Sequence, residues 1–201
     1  MKVRSLLLLL FFFTPAIFWN CSQSSDGEIT EDQVQELRII ADEFTKTIKT
    51  VLVKQMQNGG VPAALTVCSD TAQLLTADFA SLKGINVKRV SFKNRNENDY
   101  PDPFEFEGLK YFEEMNEKGI LKEGSEYVEI VTENNGEFIR YLKPIFVSDV
   151  CLNCHGDSNL FSPEVKALLN KNYPNDKAIN YKNGELRGAV SIQKKLEWFI
   201  K

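Results

Sequence analysis

The residue pattern predicts a single α+β domain: N-terminal helices, then a small antiparallel sheet of four or five strands with helices inserted between strands. Three observations carry this. Apolar residues from Val34 to Val51 recur at steps of three and four, the period of a helix with one buried face. Alternating runs on either side of Asn134-Asn135-Gly136 read as a hairpin, because Asn-Gly tolerates the positive φ of a tight turn. There is no internal repeat and no low-complexity tract that would call for another architecture.

The elements follow in order. Val34, Leu37, Ala41, Phe44, Ile48 and Val51 mark a long amphipathic helix, ended by Asn58-Gly59-Gly60. Pro62 suits the first turn of a following segment, since its missing N–H is an orphan there anyway. Residues 63–82 read as one or two helices with a break or cap at Ser69-Asp70, and Gly84 closes them. Residues 85–92 alternate as a strand whose inner face is ambiguous: Val87 and Arg89 share one side, Val90 and Phe92 the other. The Asn-, Asp- and Pro-rich stretch 94–103 reads as a loop. A helix over 104–116 follows, with Leu109, Phe112 and Met115 inward and Glu105 in its first turn as cap or anchor. Strands 127–132 and 137–142 form the hairpin, and Pro144 ends the second. A short helix over 163–171 and a strand from Leu186 to Gln193, after a turn at Asn183-Gly184, complete the domain.

Residues 1–20 stand apart. Lys2 and Arg4 precede an unbroken apolar run, Leu6 to Phe13, too short for a span and typical of an export signal. Cys21 then opens a polar tether, residues 21–33, in the manner of a bacterial lipoprotein signal with a lipidated cysteine. Asn20 is unusual at that junction, and an ordinary signal peptide with an incidental cysteine is the alternative. The domain proper is placed at 34–195. The chain has 24 basic and 28 acidic residues, a net charge of -4, and no basic stripe, which argues against a nucleic-acid partner.

Chemistry concentrates in Cys151-Leu152-Asn153-Cys154-His155, a C-x-x-C-H sequence holding the chain's single histidine. This is the pattern of covalent c-type haem attachment: two thiols at that spacing reach two vinyl groups of one porphyrin, and the adjacent imidazole lies beneath the iron. An export signal agrees with it. A redox C-x-x-C pair would be expected after a strand in a βαβ unit, which this is not, and a zinc site would need one more donor from Cys68 or a carboxylate. No second histidine exists to oppose His155. The candidates for the other axial position are Met56, Met115, Cys68, a lysine, an amine or water.

Several separated stretches resemble the Tll0287-like haem domain family. They are Ala64-Leu65-Thr66-Val67-Cys68; Val90 to Asn96 leading to Pro101-Asp102-Pro103-Phe104-Glu105; Lys143 to Val147 running into Cys151 to Gly156; Tyr173-Pro174, Asp176 and Ala178; and Gly184 to Ser191. The resemblance covers roughly residues 35–195. It implies a PAS-like antiparallel sheet with long N-terminal helices, one covalent haem c held through Cys151 and Cys154, and axial ligation by His155 and Cys68. Beside it, Arg95 and Arg187 are candidates to pair with haem propionates through bidentate guanidinium bonds, with Arg89 a weaker one. Phe146 is placed at the porphyrin face, and Tyr173 with Pro174 at one haem edge.

These readings imply a redox- or gas-sensing haem module at the periplasmic face of a bacterial membrane. A partner would be a redox or signalling protein, with a diatomic gas as a further ligand, a lipid anchor in the membrane, and a homodimer through the exposed part of the long helix. A small c-type electron carrier is the alternative. An enzyme has little support, since no second histidine is present for distal acid–base work.

Overall fold

The computed structural model describes residues 28–70, 72–133 and 135–196. Residues 1–20, Cys21 and most of the tether lie outside the described residues, as do the side chain of Cys68 and all of Asn134. Among the described residues no helix is long and apolar enough to cross a membrane.

Helix α1 (Glu31–Asp70) starts inside the segment read as tether. Thr30 and Gln33 account for the start: the Gln33 amide donates to Thr30 Oγ1 at 3.3 Å, and Thr30 N donates to Gln33 Oε1 at 2.9 Å. This is a capping box, and its T-x-x-Q signature stands in the sequence. The expected stop at Gly59-Gly60 is a kink instead. Gly59 (φ -148, ψ 17) and Gly60 (φ 70, ψ -167) leave helical geometry, and a second arm continues from Val61 to Asp70. A positive φ of that kind suits only glycine without strain. Helix α2 (Ala72–Lys83) follows the break foreseen near Ser69-Asp70, and Gly84 at φ 65 closes it.

The sheet contains β1 (Asn86–Val90), β2 (Tyr127–Glu133), β3 (Gly136–Phe146) and β4 (Leu186–Lys195) in the order β1-β4-β3-β2, all antiparallel. The last of the described strands, β4, is thus interior. Helix α3 (Pro103–Glu117) is inserted between β1 and β2. The short α4 (Leu152–His155) and α5 (Pro163–Asn172) lie between β3 and β4.

Both faces of the sheet are covered, which resolves the ambiguity of strand 85–92. On one face Leu37, Ala41 and Phe44 of α1 pack on Val87, Tyr141, Val190 and Ile192. On the other, Phe104, Leu109 and Phe112 of α3 pack on Val90, Leu142 and Ala189. A strand buried on both sides carries apolar residues at odd and even positions alike. Burying each large apolar side chain contributes about 1.5–3 kcal/mol.

Glu105 behaves as expected and does more. Its carboxylate accepts from Asp102 N at 2.8 Å while Asp102 Oδ1 accepts from Glu105 N at 2.9 Å, capping α3. Fully buried, it also accepts from Ser191 Oγ at 2.6 Å and pairs with Lys88 at 2.9 Å and Arg140 at 3.3 Å. It therefore anchors α3 to both β4 and β3.

Pro144 does not end its strand: β3 runs on to Phe146, with Pro144 opposite Ala189. The reason lies in the neighbour. Pairing with β2 stops at Tyr127–Leu142, so residues 143–146 border β4 alone, and an edge tolerates proline. Among the described residues the sheet has four strands, the lower of the two expected counts.

Candidate functional site

The motif is held by chain segments far apart in sequence. As the chain leaves β3, Val147 N donates to Glu185 O (2.9 Å) and Gly184 N donates to Val147 O (2.8 Å). Ser148 then turns the chain: Cys151 N donates to Ser148 O at 2.8 Å, and Ser148 N contacts Cys151 Sγ at 3.4 Å. A single 3-10 turn (Asp149–Cys151) leads into α4, which carries Cys154 and His155. Gly156 ends it. A Cβ there would lie 2.6 Å from Leu152 O, so the exit is open to glycine alone.

Residues 178–181 run alongside. Asn180 N donates to Gly156 O (2.8 Å) and Tyr181 N to His155 O (2.9 Å). Ala178 O lies 2.6 Å from His155 Nδ1. A carbonyl only accepts, so Nδ1 carries the imidazole proton and Nε2 keeps its lone pair. Burial, then the nearby Arg95 and Arg187, hold the His155 pKa well below the usual value, against the opposing pull of the Ala178 bond. The ring is neutral at physiological pH. Pinning the far nitrogen to a backbone carbonyl is how proteins orient a metal-ligating histidine.

Seven of the residues singled out around the cofactor meet at one cavity of about 850 Å³: Cys151, Cys154, His155, Arg95, Arg187, Phe146 and Tyr173. Cys68 is on the second arm of α1, one turn beyond the cavity-lining Leu65. Arg89 and Met56 line the cavity too. Met115 does not; it sits near the end of α3, the helix packed on the sheet face opposite α1. Pro174 is not among the lining residues either.

The arginines divide into two kinds. Arg95 is nearly buried and committed to protein acceptors: Asp176 at 2.9 Å, Cys154 O at 2.5 Å and Ala178 O at 3.2 Å. It braces the motif against the 176–178 segment. Among the described residues Arg187 makes one such bond, to Lys93 O at 3.1 Å, and Arg89 has no carboxylate within ion-pair distance. Burial, with Arg95 and Arg89 adding repulsion, pulls the Arg187 pKa down. Asp99 also lines the cavity, its pKa raised by burial against the opposing pull of Arg89 and Arg187. Cations crowded in a half-buried space favour an anionic occupant.

Ala178 and Tyr181 had no assigned role in the sequence. Tyr181 is buried, edge-on to His155 at 6.4 Å between ring centroids, with Lys93 Nζ 4.1 Å from its own centroid. A backbone acceptor leaves no trace in residue type. The one available signal was the quoted Asp176 and Ala178 stretch.

A family model described as Tll0287-like matches residues 24–194. The chain belongs to the Tll0287-like family. Among solved structures, this Tll0287-like chain is similar to the crystal structure of the cyanobacterial heme-protein Tll0287. The two share 20% identity with a TM-score of 0.61, over 84% of this chain and 98% of that one. That likeness establishes a shared fold: the four-stranded antiparallel sheet with a long N-terminal helix is the expected PAS-like architecture. No match was found among curated proteins.

Proposed function

We propose that this Tll0287-like protein is a covalent haem c module that responds to redox state or to a gas. The observation that carries the proposal is His155: its Nδ1 is fixed by Ala178 O while Nε2 stays available, in a cavity shared with Cys151 and Cys154. The residues present fit the group. Two thiols at thioether spacing stand beside a neutral imidazole. Ile145, Phe146 and Val190 supply apolar walls, and Arg187 and Arg89 supply cations for two propionates. The haem would supply a redox-active iron; the protein holds His155 in its tautomer and Arg95 keeps the motif in place.

Cys68 is the second axial ligand in this proposal. Family membership supports it, as does its place one turn beyond Leu65. A thiolate would lower the iron potential and leave readily when protonated, and its departure would free that position for another ligand, NO or CO among them. The signal reaches a redox or signalling partner. The apolar run before Cys21 supports an exported lipoprotein, and the exposed part of α1 offers a face to a second copy. Family membership is consistent with a role that is not enzymatic.

A second reading, an electron carrier, is favoured by one observation: Cys151 and Cys154 are half-exposed, so a haem edge would reach solvent. The chain made with a haem-attachment system decides. Covalent haem should survive denaturing electrophoresis and vanish in C151A/C154A, and C68A should lose the thiolate spectrum. Wild-type protein without covalent haem would refute the proposal. Ligand loss on reduction followed by CO binding supports a sensor; fixed coordination with fast electron exchange supports a carrier.

A further inference from the structure

One wall of the cavity is a single stripe of α1. Ile48, Leu52 and Met56 follow at four-residue intervals, so their side chains share a helix face, and all three line the cavity with His155. The first two end in hydrocarbon. Met56 ends in a thioether, a soft donor suited to a soft metal ion. It is half-buried, three residues before the Gly59-Gly60 kink, while Cys68 lies on the arm beyond it. The two sulfur-bearing residues thus stand on the two arms of one bent helix. Lys49 and Lys122 also line the cavity, but a lysine must lose a proton before it can ligate and a thioether has none to lose.

We propose that Met56 Sδ is the alternate axial ligand, taking the position opposite His155 when Cys68 releases it. This rests on the haem reading above. An anionic thiolate favours ferric iron, and a neutral thioether favours ferrous iron and raises the potential. When a one-electron carrier protein reduces Fe(III) to Fe(II), the Cys68 thiolate gives up its bond to iron and takes a proton from solvent. Met56 Sδ then donates a lone pair to the metal. Reoxidation returns the electron to the carrier and the proton to solvent as the Cys68 bond re-forms. The exchange moves the metal bond from one arm of α1 to the other across two glycines.

The test uses the holoprotein and the variants M56L, C68A and M56L/C68A. Leucine for methionine conserves volume, and circular dichroism confirms the fold. Reduced wild type should be six-coordinate and low-spin, and reduced M56L five-coordinate and high-spin, with CO binding at least about tenfold faster. Ferric C68A should show the far-red charge-transfer band of a methionine–iron bond and a raised potential, both absent from M56L/C68A. An M56L protein with the wild-type reduced spectrum and CO rate overturns the proposal, as does ferric C68A without that band. In either case the covalent haem would persist, so the haem reading stands. A wild-type chain that carries no covalent haem overturns both.

Discussion

Replacing Arg95 by methionine isolates the brace behind the motif. The guanidinium and Asp176 are each only 10% exposed and 2.9 Å apart, and the same Arg95 donates to Cys154 O and Ala178 O. R95M keeps much of the side-chain volume but strands a buried carboxylate. Breaking one side of a buried pair costs about 3–5 kcal/mol, a large share of a typical domain's stability. With a urea slope near 2 kcal/mol/M, the unfolding midpoint of the haem-free chain should fall by about 1.5–2.5 M. R95M/D176N removes the stranded charge and should recover at least about 1 kcal/mol. Equilibrium urea unfolding followed by circular dichroism measures both. A loss below about 1 kcal/mol in R95M, or no recovery in the double variant, would refute the brace.

Three other outcomes follow from the packing. G188A places a Cβ 2.1 Å from Val90 O at a backbone φ of +148, so β4 cannot keep its approach to β1. Unfolding experiments should show a loss of about 2–6 kcal/mol. P144A should cost less than about 1 kcal/mol, because residues 143–146 have one strand neighbour and only the stiffness of the unfolded chain changes; a larger loss contradicts the edge placement. Arg38, donating to Glu126 at 2.8 Å, holds that carboxyl below its usual pKa. Its contribution is therefore present above the unfolded value of about 4.3 and lost as pH falls through the lower native one. The Tm advantage of wild type over E126Q should be full at neutral pH and fade in acid; a pH-independent gap would contradict this.

The sequence was most legible where residue type alone dictates behaviour. The C-x-x-C-H spacing brings Cys151, Cys154 and His155 to one cavity, Glu105 announces a cap, and Asn-Gly pairs announce turns. It was least legible where meaning depends on a distant partner. Arg95 reads as a partner for propionates, and its second role as a brace is hidden because Asp176, 81 positions away, is not visible as its neighbour. Pro144 looked like a strand end because nothing local says that β2 begins only at Tyr127, opposite Leu142. The acceptor that fixes His155 is a main-chain oxygen 23 residues downstream, where any side chain would leave the same atom. Strand 85–92 was ambiguous because both of its sides are interior.

The position of β4 sets a schedule. Among the described residues β4, an interior strand, is the last element in sequence, and it pairs with both β1 and β3. Until residues 186–195 are available, β1 has no strand to pair with, and the 178–181 segment that grips His155 has no fixed frame. Pairings this distant close slowly. The two cysteines of the motif therefore remain on an open chain until residues 186–195 have paired, which leaves their thiols accessible before the fold shuts around the site.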